Sequence, residues 1–205
     1  MITLFDFWRS SAAYRVRIGL NQLGLPYTSV AVDLTTGAHR SPENLARNPQ
    51  GLVPTLDIDG IRLTQSLAML EYLDETRGGL LPQGAGPRAH VRALAYAIAM
   101  EIAPVCALSV RNQVAELTEG RTSAADWQRH HYAKGLAAFE AMLTDAGTCC
   151  FGDQVSIADC CLVPQIYNAD QVGIDVTSFP KLQRIVTDLR QRPAFAAAHP
   201  ENVKP

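Results

Sequence analysis

The stretch VPTLDIDGIRLT, residues 53–64, limits the possible folds more than any other part of the chain. Leu56 and Ile58 alternate with polar residues, Asp59-Gly60 supplies a tight turn, and Ile61 and Leu63 resume the alternation. That is the pattern of an antiparallel hairpin with one buried face. Residues 2–7 (ITLFDF) form a short apolar run suited to a buried strand. After Ser10-Ser11, the positions Val16, Ile18, Leu20 and Leu23 suit a helix ending near Gly24 and Pro26, and YTSVAVD (27–33) returns to strand-forming residues. This is a βαβ unit with a right-handed crossover. A helical run from Ser66 to Arg77 follows the hairpin. The order βαβ–loop–ββα predicts a small mixed α/β sheet flanked by helices.

Residues 78–87, GGLLPQGAGP, hold four glycines, two prolines and no charge, which reads as a linker. The expected division is one domain over 1–79, a linker over 80–87 and an all-helical domain over 88–205. Helices are expected at about 88–117, 124–145, 156–170 and 179–192, with only the last dozen residues loose. Ser156-Ile-Ala-Asp159 reads as a capping box in which Asp replaces the usual Glu.

Hydrophobic residues make up 47% of the 205 and charged residues 19%, a globular composition. A net charge of -2 offers no electrostatic footprint for nucleic acid or an anionic membrane. No uninterrupted apolar run reaches the roughly 18 residues that span a bilayer. The start, Met1-Ile-Thr-Leu-Phe-Asp6, lacks the features of a signal peptide, so a cytoplasmic location is expected. The five cysteines are odd in number, and Cys149-Cys150 and Cys160-Cys161 are adjacent pairs. With no CxxC and no zinc-ligand spacing, they read as small buried hydrophobes, and no metal is expected.

Three places offer chemistry. Arg9-Ser10-Ser11 stands where a strand passes into a helix, whose first turn exposes unpaired N–H groups and a partial positive charge. A serine there either caps the helix or aims its hydroxyl at an anion above it. Asn48-Pro-Gln-Gly-Leu-Val-Pro54 leads into the hairpin. Pro54 is either an ordinary turn proline or a cis-proline that leaves the Val53 backbone free to pair with an extended peptide. Gln65-Ser66 opens the next helix, and Ser66 is either a plain N-cap or part of a carboxylate site. Together these features suit a ligand with an extended backbone, a carboxylate and a nucleophilic sulfur.

The stretches FWRSSAAYRVRIGL (7–20), NPQGLVPTL (48–56), QSLAMLEYL (65–73), FGDQVSIADCCLVPQ (151–165) and AHPENVKP (198–205) resemble the cytosolic glutathione transferases, most closely the zeta class. That class includes maleylacetoacetate isomerase and the bacterial maleylpyruvate isomerases. The resemblance implies a thioredoxin-like N-terminal domain, an all-α C-terminal domain lining the electrophile pocket, and a homodimer. It implies glutathione as cofactor, its thiolate held by Ser10 or Ser11, its cysteinyl backbone by Val53 before a cis Pro54, its γ-glutamyl end by Gln65 and Ser66, and its glycyl end by His39 and Gln50. Arg9 would face a substrate carboxylate, and Arg111 is a second candidate cation. The implied reaction adds the thiolate to a cis double bond conjugated to a carbonyl, rotates the resulting single bond and expels the thiolate, in the breakdown of aromatic compounds. Ala12, Ala103 and Gln171 stand where the class carries cysteine, a polar residue and arginine. A general transferase that conjugates or dehalogenates electrophiles, or a non-catalytic binding module, are the alternative expectations.

Overall fold

The computed structural model describes all 205 residues. They fold as two compact units, Met1–Leu80 with Gln191–Pro205, and Leu81–Arg190. The first unit is built on a four-stranded sheet of order β2-β1-β3-β4, from β1 (Thr3–Asp6), β2 (Thr28–Ala31), β3 (Thr55–Ile58) and β4 (Ile61–Thr64). β1 and β2 are parallel, with Thr3 opposite Thr28, and β3 is antiparallel to both β1 and β4. The hairpin register follows from its turn. Asp59 and Gly60 both take positive φ (49° and 80°), which pairs Ile58 with Ile61 and Leu56 with Leu63.

Helices α1 (Ser11–Gln22) and α3 (Ser66–Arg77) pack against each other beside the sheet. Gly19 sets that approach, because a Cβ there would lie 2.4 Å from Leu70 Cδ2. A 3₁₀ turn at Ala38–Arg40 and the short α2 (Pro42–Arg47) connect β2 to β3.

Two expectations about this unit are corrected. The last dozen residues are not loose, and they do not belong with the helical unit. They form α10 (Pro193–Ala198) and α11 (Pro200–Val203), and α10 packs on α1. The cause is polar as well as apolar: Arg17 Nε donates to Ala198 O at 3.0 Å and Asn21 Nδ2 to Ala194 O at 3.1 Å, while Phe195 is fully buried. The 80–87 linker is also shorter than expected, because α4 (Ala85–Tyr96) already begins at Ala85. Pro87 falls in its first turn, where a missing N–H costs nothing.

In the second unit the expected helix over 88–117 is interrupted. α4 runs into a π-helical segment (Ala97–Ile102) and a short α5 (Ala103–Val105), then breaks at Cys106–Ala107 before α6 (Leu108–Leu117). Pro104 supplies the reason: it has no N–H to give the preceding turn, and its ring crowds that turn's carbonyl. The carbonyls freed by the break are met by α7 (Ala124–Met142), whose Trp127 Nε1 donates to Val105 O at 2.8 Å and Gln128 Nε2 to Cys106 O at 3.0 Å. By length and composition, Ala85–Leu117 does contain a window apolar enough to cross a bilayer, which counting uninterrupted runs missed. Helix α4 packs on α8 (Ile157–Asp170), the buried core helix. Its capping box is as expected: Asp159, wholly buried, accepts 2.8 Å bonds from the Ser156 N–H, the Ser156 hydroxyl and the Cys150 N–H. Helix α9 (Pro180–Gln191) closes the unit. None of the five cysteines forms a disulfide and all are buried, and burial pushes the Cys106 thiol up to about 11.

Candidate functional site

The turn after β1 is built around Arg17. Its guanidinium, 1% exposed, donates to both oxygens of Asp6 at 2.9 and 2.6 Å and to Trp8 O at 2.9 Å. Burial pushes the Asp6 carboxyl up while Arg17 pulls it back toward the ionised form. The turn closes with Ser10 N donating to Phe7 O at 2.8 Å. Ser10 is the N-cap of α1: its extended backbone (φ −69°, ψ 119°) lets Oγ accept from Ala13 N at 3.2 Å. Capping uses only an oxygen lone pair, so the Ser10 O–H stays available as a donor. Ser11 follows as the first helical residue, half-buried. Arg9 is exposed, with its guanidinium 5.5 Å from the Trp8 ring centroid, and Lys204 Nζ from the C-terminal tail stands 5.1 Å from the same ring.

The Val53–Pro54 bond is cis. The turn before it is fastened by Asn48, whose side chain accepts from Gln50 N at 3.0 Å and donates to Leu52 O at 2.9 Å. Gly51 takes φ 63° and lies so near the 3₁₀ turn that a Cβ would sit 3.4 Å from His39 O. That same carbonyl accepts from Asn44 Nδ2 at 2.8 Å. The structure therefore brings the backbones of His39 and the Gln50 turn together. Pairing of β3 with its neighbours starts only at Thr55, so the half-buried Val53 lies outside the ladder.

Gln65 joins β4 to α3 at φ 68°, ψ 112°, a region that costs a non-glycine residue about 1–3 kcal/mol and that clusters at functional sites. Its side chain does not cap the helix. Instead Gln65 Nε2 donates to Gln50 Oε1 at 2.8 Å, so two of the expected binding residues touch. Ser66 is buried, and its Oγ accepts from Arg15 Nη1 at 3.3 Å. Arg15 and Arg17 stand two residues apart on α1. Only Arg17 has the carboxylate.

This first unit thus sets two helix N-termini, linked by the Arg15–Ser66 bond, beside a strand edge, with amide side chains at the rim. An uncapped helix terminus suits a carboxylate, and a strand edge outside the ladder suits an extended peptide backbone. Arg111 lies in the second unit, half-buried, where Nη1 donates to Gln128 Oε1 at 2.6 Å and Nε is buried without a partner.

Residues 1–75 match the family described as glutathione S-transferase, N-terminal domain, and residues 109–199 match glutathione S-transferase, C-terminal domain. The chain is 53% identical over 207 residues to a maleylacetoacetate isomerase of Rhizobium meliloti, covering 98% of this chain and 97% of that one. Among solved structures it superposes on the holo form of a bacterial zeta-class maleylpyruvate isomerase with a TM-score of 0.94, at 34% identity over 98% of each chain. It also superposes on a maleylacetoacetate isomerase of Methylobacterium extorquens with bound malonate and glutathione, with a TM-score of 0.92, at 40% identity over 98% of this chain and 97% of that one. Fold, domain matches and full-length similarity agree: the chain belongs to the zeta-class glutathione S-transferases, the family of the maleylacetoacetate and maleylpyruvate isomerases.

Proposed function

We propose that this protein is a glutathione-dependent cis–trans isomerase of a maleyl diacid, maleylacetoacetate or maleylpyruvate. The observation that carries the proposal is the polar seam Gln50–Gln65–Ser66–Arg15 at the uncapped start of α3. Gln65, Ser66 and the first N–H groups of α3 grip the γ-glutamyl end. Val53 pairs with the cysteinyl backbone from outside the ladder, and His39 and Gln50 meet the glycyl end. Glutathione, when bound, supplies the thiolate that adds reversibly to the substrate's double bond.

Ser10 holds that sulfur in its anionic form. Its oxygen already accepts the Ala13 N–H, which polarises its own O–H as a donor, and Ser11 stands beside it. The magnitudes suffice. Bringing a thiol from its ordinary pKa of about 8.5 to about 6.5 needs about 2.7 kcal/mol. A helix N-terminus contributes roughly 0.3–2 kcal/mol and a hydrogen bond to a charged acceptor about 1.5–3. Arg9, exposed beside Trp8, attracts a substrate carboxylate, and Arg111 is the second cation assigned to the diacid. The protein works in the cytoplasm as a homodimer, as the family implies.

Maleylacetone or maleylpyruvate, incubated with the enzyme with and without glutathione, tests the proposal. Loss of substrate absorbance that requires glutathione but does not consume it is the expected result. Stoichiometric glutathione consumption, or no turnover, refutes it.

A further inference from the structure

Two arginines lie one helical half-turn apart on α1, and they live in different electrostatic circumstances. Arg17 is fully buried and paired bidentately with Asp6. Arg15 is also buried, 4% exposed, yet its one hydrogen bond goes to a neutral hydroxyl, Ser66 Oγ at 3.3 Å. Its Nε and Nη2 are buried with no partner. A buried charge without a counter-charge is among the costliest arrangements a protein core holds. A purely structural arginine would have been paired, as its neighbour is. Arg15 is aimed at the N-terminus of α3, a twelve-residue helix with no side-chain cap, whose first residue is Ser66. An anion at that terminus supplies the missing counter-charge.

We infer that Arg15 is a positioning residue for the γ-glutamyl carboxylate of glutathione, acting through Ser66. By donating to Ser66 Oγ it occupies an oxygen lone pair and turns the hydroxyl's proton outward, toward the carboxylate. It also sets a positive charge directly behind the hydroxyl, in surroundings that screen it poorly. Arg15 acts through the Ser66 hydroxyl that it holds. This rests on the glutathione-binding reading above.

The test is calorimetric titration with two peptides: glutathione, and 4-aminobutyryl-cysteinyl-glycine, which lacks only the γ-glutamyl α-carboxylate. The intact protein should prefer glutathione by about 10- to 100-fold, the worth of a charged hydrogen bond. Arg15→Met should lose most of this preference, with its affinity for the shorter peptide unchanged. Arg15→Lys, which keeps the charge, should retain most of the preference. If Arg15→Met does not fold, Arg15→Gln is held to the same criterion. A neutral variant that keeps the full preference for glutathione overturns the inference. Failure of the intact protein to bind either peptide overturns the glutathione-binding reading itself, a separate and recognisable result.

Discussion

Replacing Arg17 with methionine should be the most damaging single change in the first unit. The guanidinium makes four hydrogen bonds from a side chain 1% exposed: two to Asp6, one to Trp8 O and one to Ala198 O. Methionine fills most of the volume but leaves the Asp6 carboxylate buried without a cation and two carbonyls without a donor. Breaking a buried pair from one side costs about 3–5 kcal/mol. For a chain of this size that is a fall in Tm of roughly 6–20 °C. The loss should depend on pH, and the sign is fixed. Burial already pushes the Asp6 carboxyl up. Without Arg17 its folded-state pKa stands further above the unfolded value of about 3.9. Such a group leaves stability intact below the unfolded pKa and removes it as pH rises through the folded one. The variant should therefore be penalised less at pH 5 than at pH 8. Asp6→Leu combined with Arg17→Met should recover much of the loss, because it removes the stranded charge. Thermal and urea unfolding followed by circular dichroism at both pH values gives the answer. A penalty under about 1 kcal/mol, or one equal at the two pH values, refutes the reasoning.

Ser10→Ala should cost about 1 kcal/mol as a lost N-cap and raise the pKa of the bound thiol, whereas Ser11→Ala should leave stability within about 0.5 kcal/mol. Calorimetry and ultraviolet titration of the thiolate separate the two, and a stability loss confined to Ser11→Ala contradicts the cap geometry. Gln65→Gly should leave the protein as stable or more stable by up to about 1 kcal/mol, because it relieves the positive φ. It should also weaken glutathione about tenfold by deleting the amide, and a lowered Tm would show that the backbone there is not strained. Arg111→Met should lower kcat/KM for a maleyl diacid about 10- to 100-fold while leaving glutathione affinity unchanged. Steady-state kinetics with less than a threefold change would remove Arg111 from the substrate's surroundings.

The sheet was legible because its signals are local. Asp59-Gly60 sets the hairpin register, and Leu56 and Ile58 mark the buried face of β3, whereas Ile61 on the edge strand is exposed. Gln65 and Ser66 were legible as a helix start for the same reason. What the sequence hid depends on distant partners. Arg15 and Arg17 look alike in RVR, and only the fold shows that Asp6 reaches one of them and Ser66 the other. The tail Pro193–Ala198 carries little hydrophobicity beyond Phe195, so nothing nearby announces that Arg17 and Asn21 will hold its carbonyls. The break at Cys106–Ala107 was hidden for a related reason. Pro104 announces a disturbed helix, but whether a kink or a break follows depends on donors from α7, some twenty residues away.

The proposed diacid substrate raises a question of charge. Ala12, Ala103 and Gln171 cannot supply the polar and cationic groups the family places there, and Gln171 ends exposed at the close of α8. A doubly charged substrate needs cations from elsewhere, since each unmatched carboxylate costs a few kcal/mol in a desolvated site. The tail brings a further cation to the first unit. By docking α10 on α1, Arg17 also fixes the segment that carries Lys204 to the Trp8 ring, where Arg9 already stands. Two cations therefore gather around one aromatic side chain, immediately before the helix start that bears Ser10. The staple that stabilises the first unit is thus also what holds the tail that brings Lys204 to Trp8.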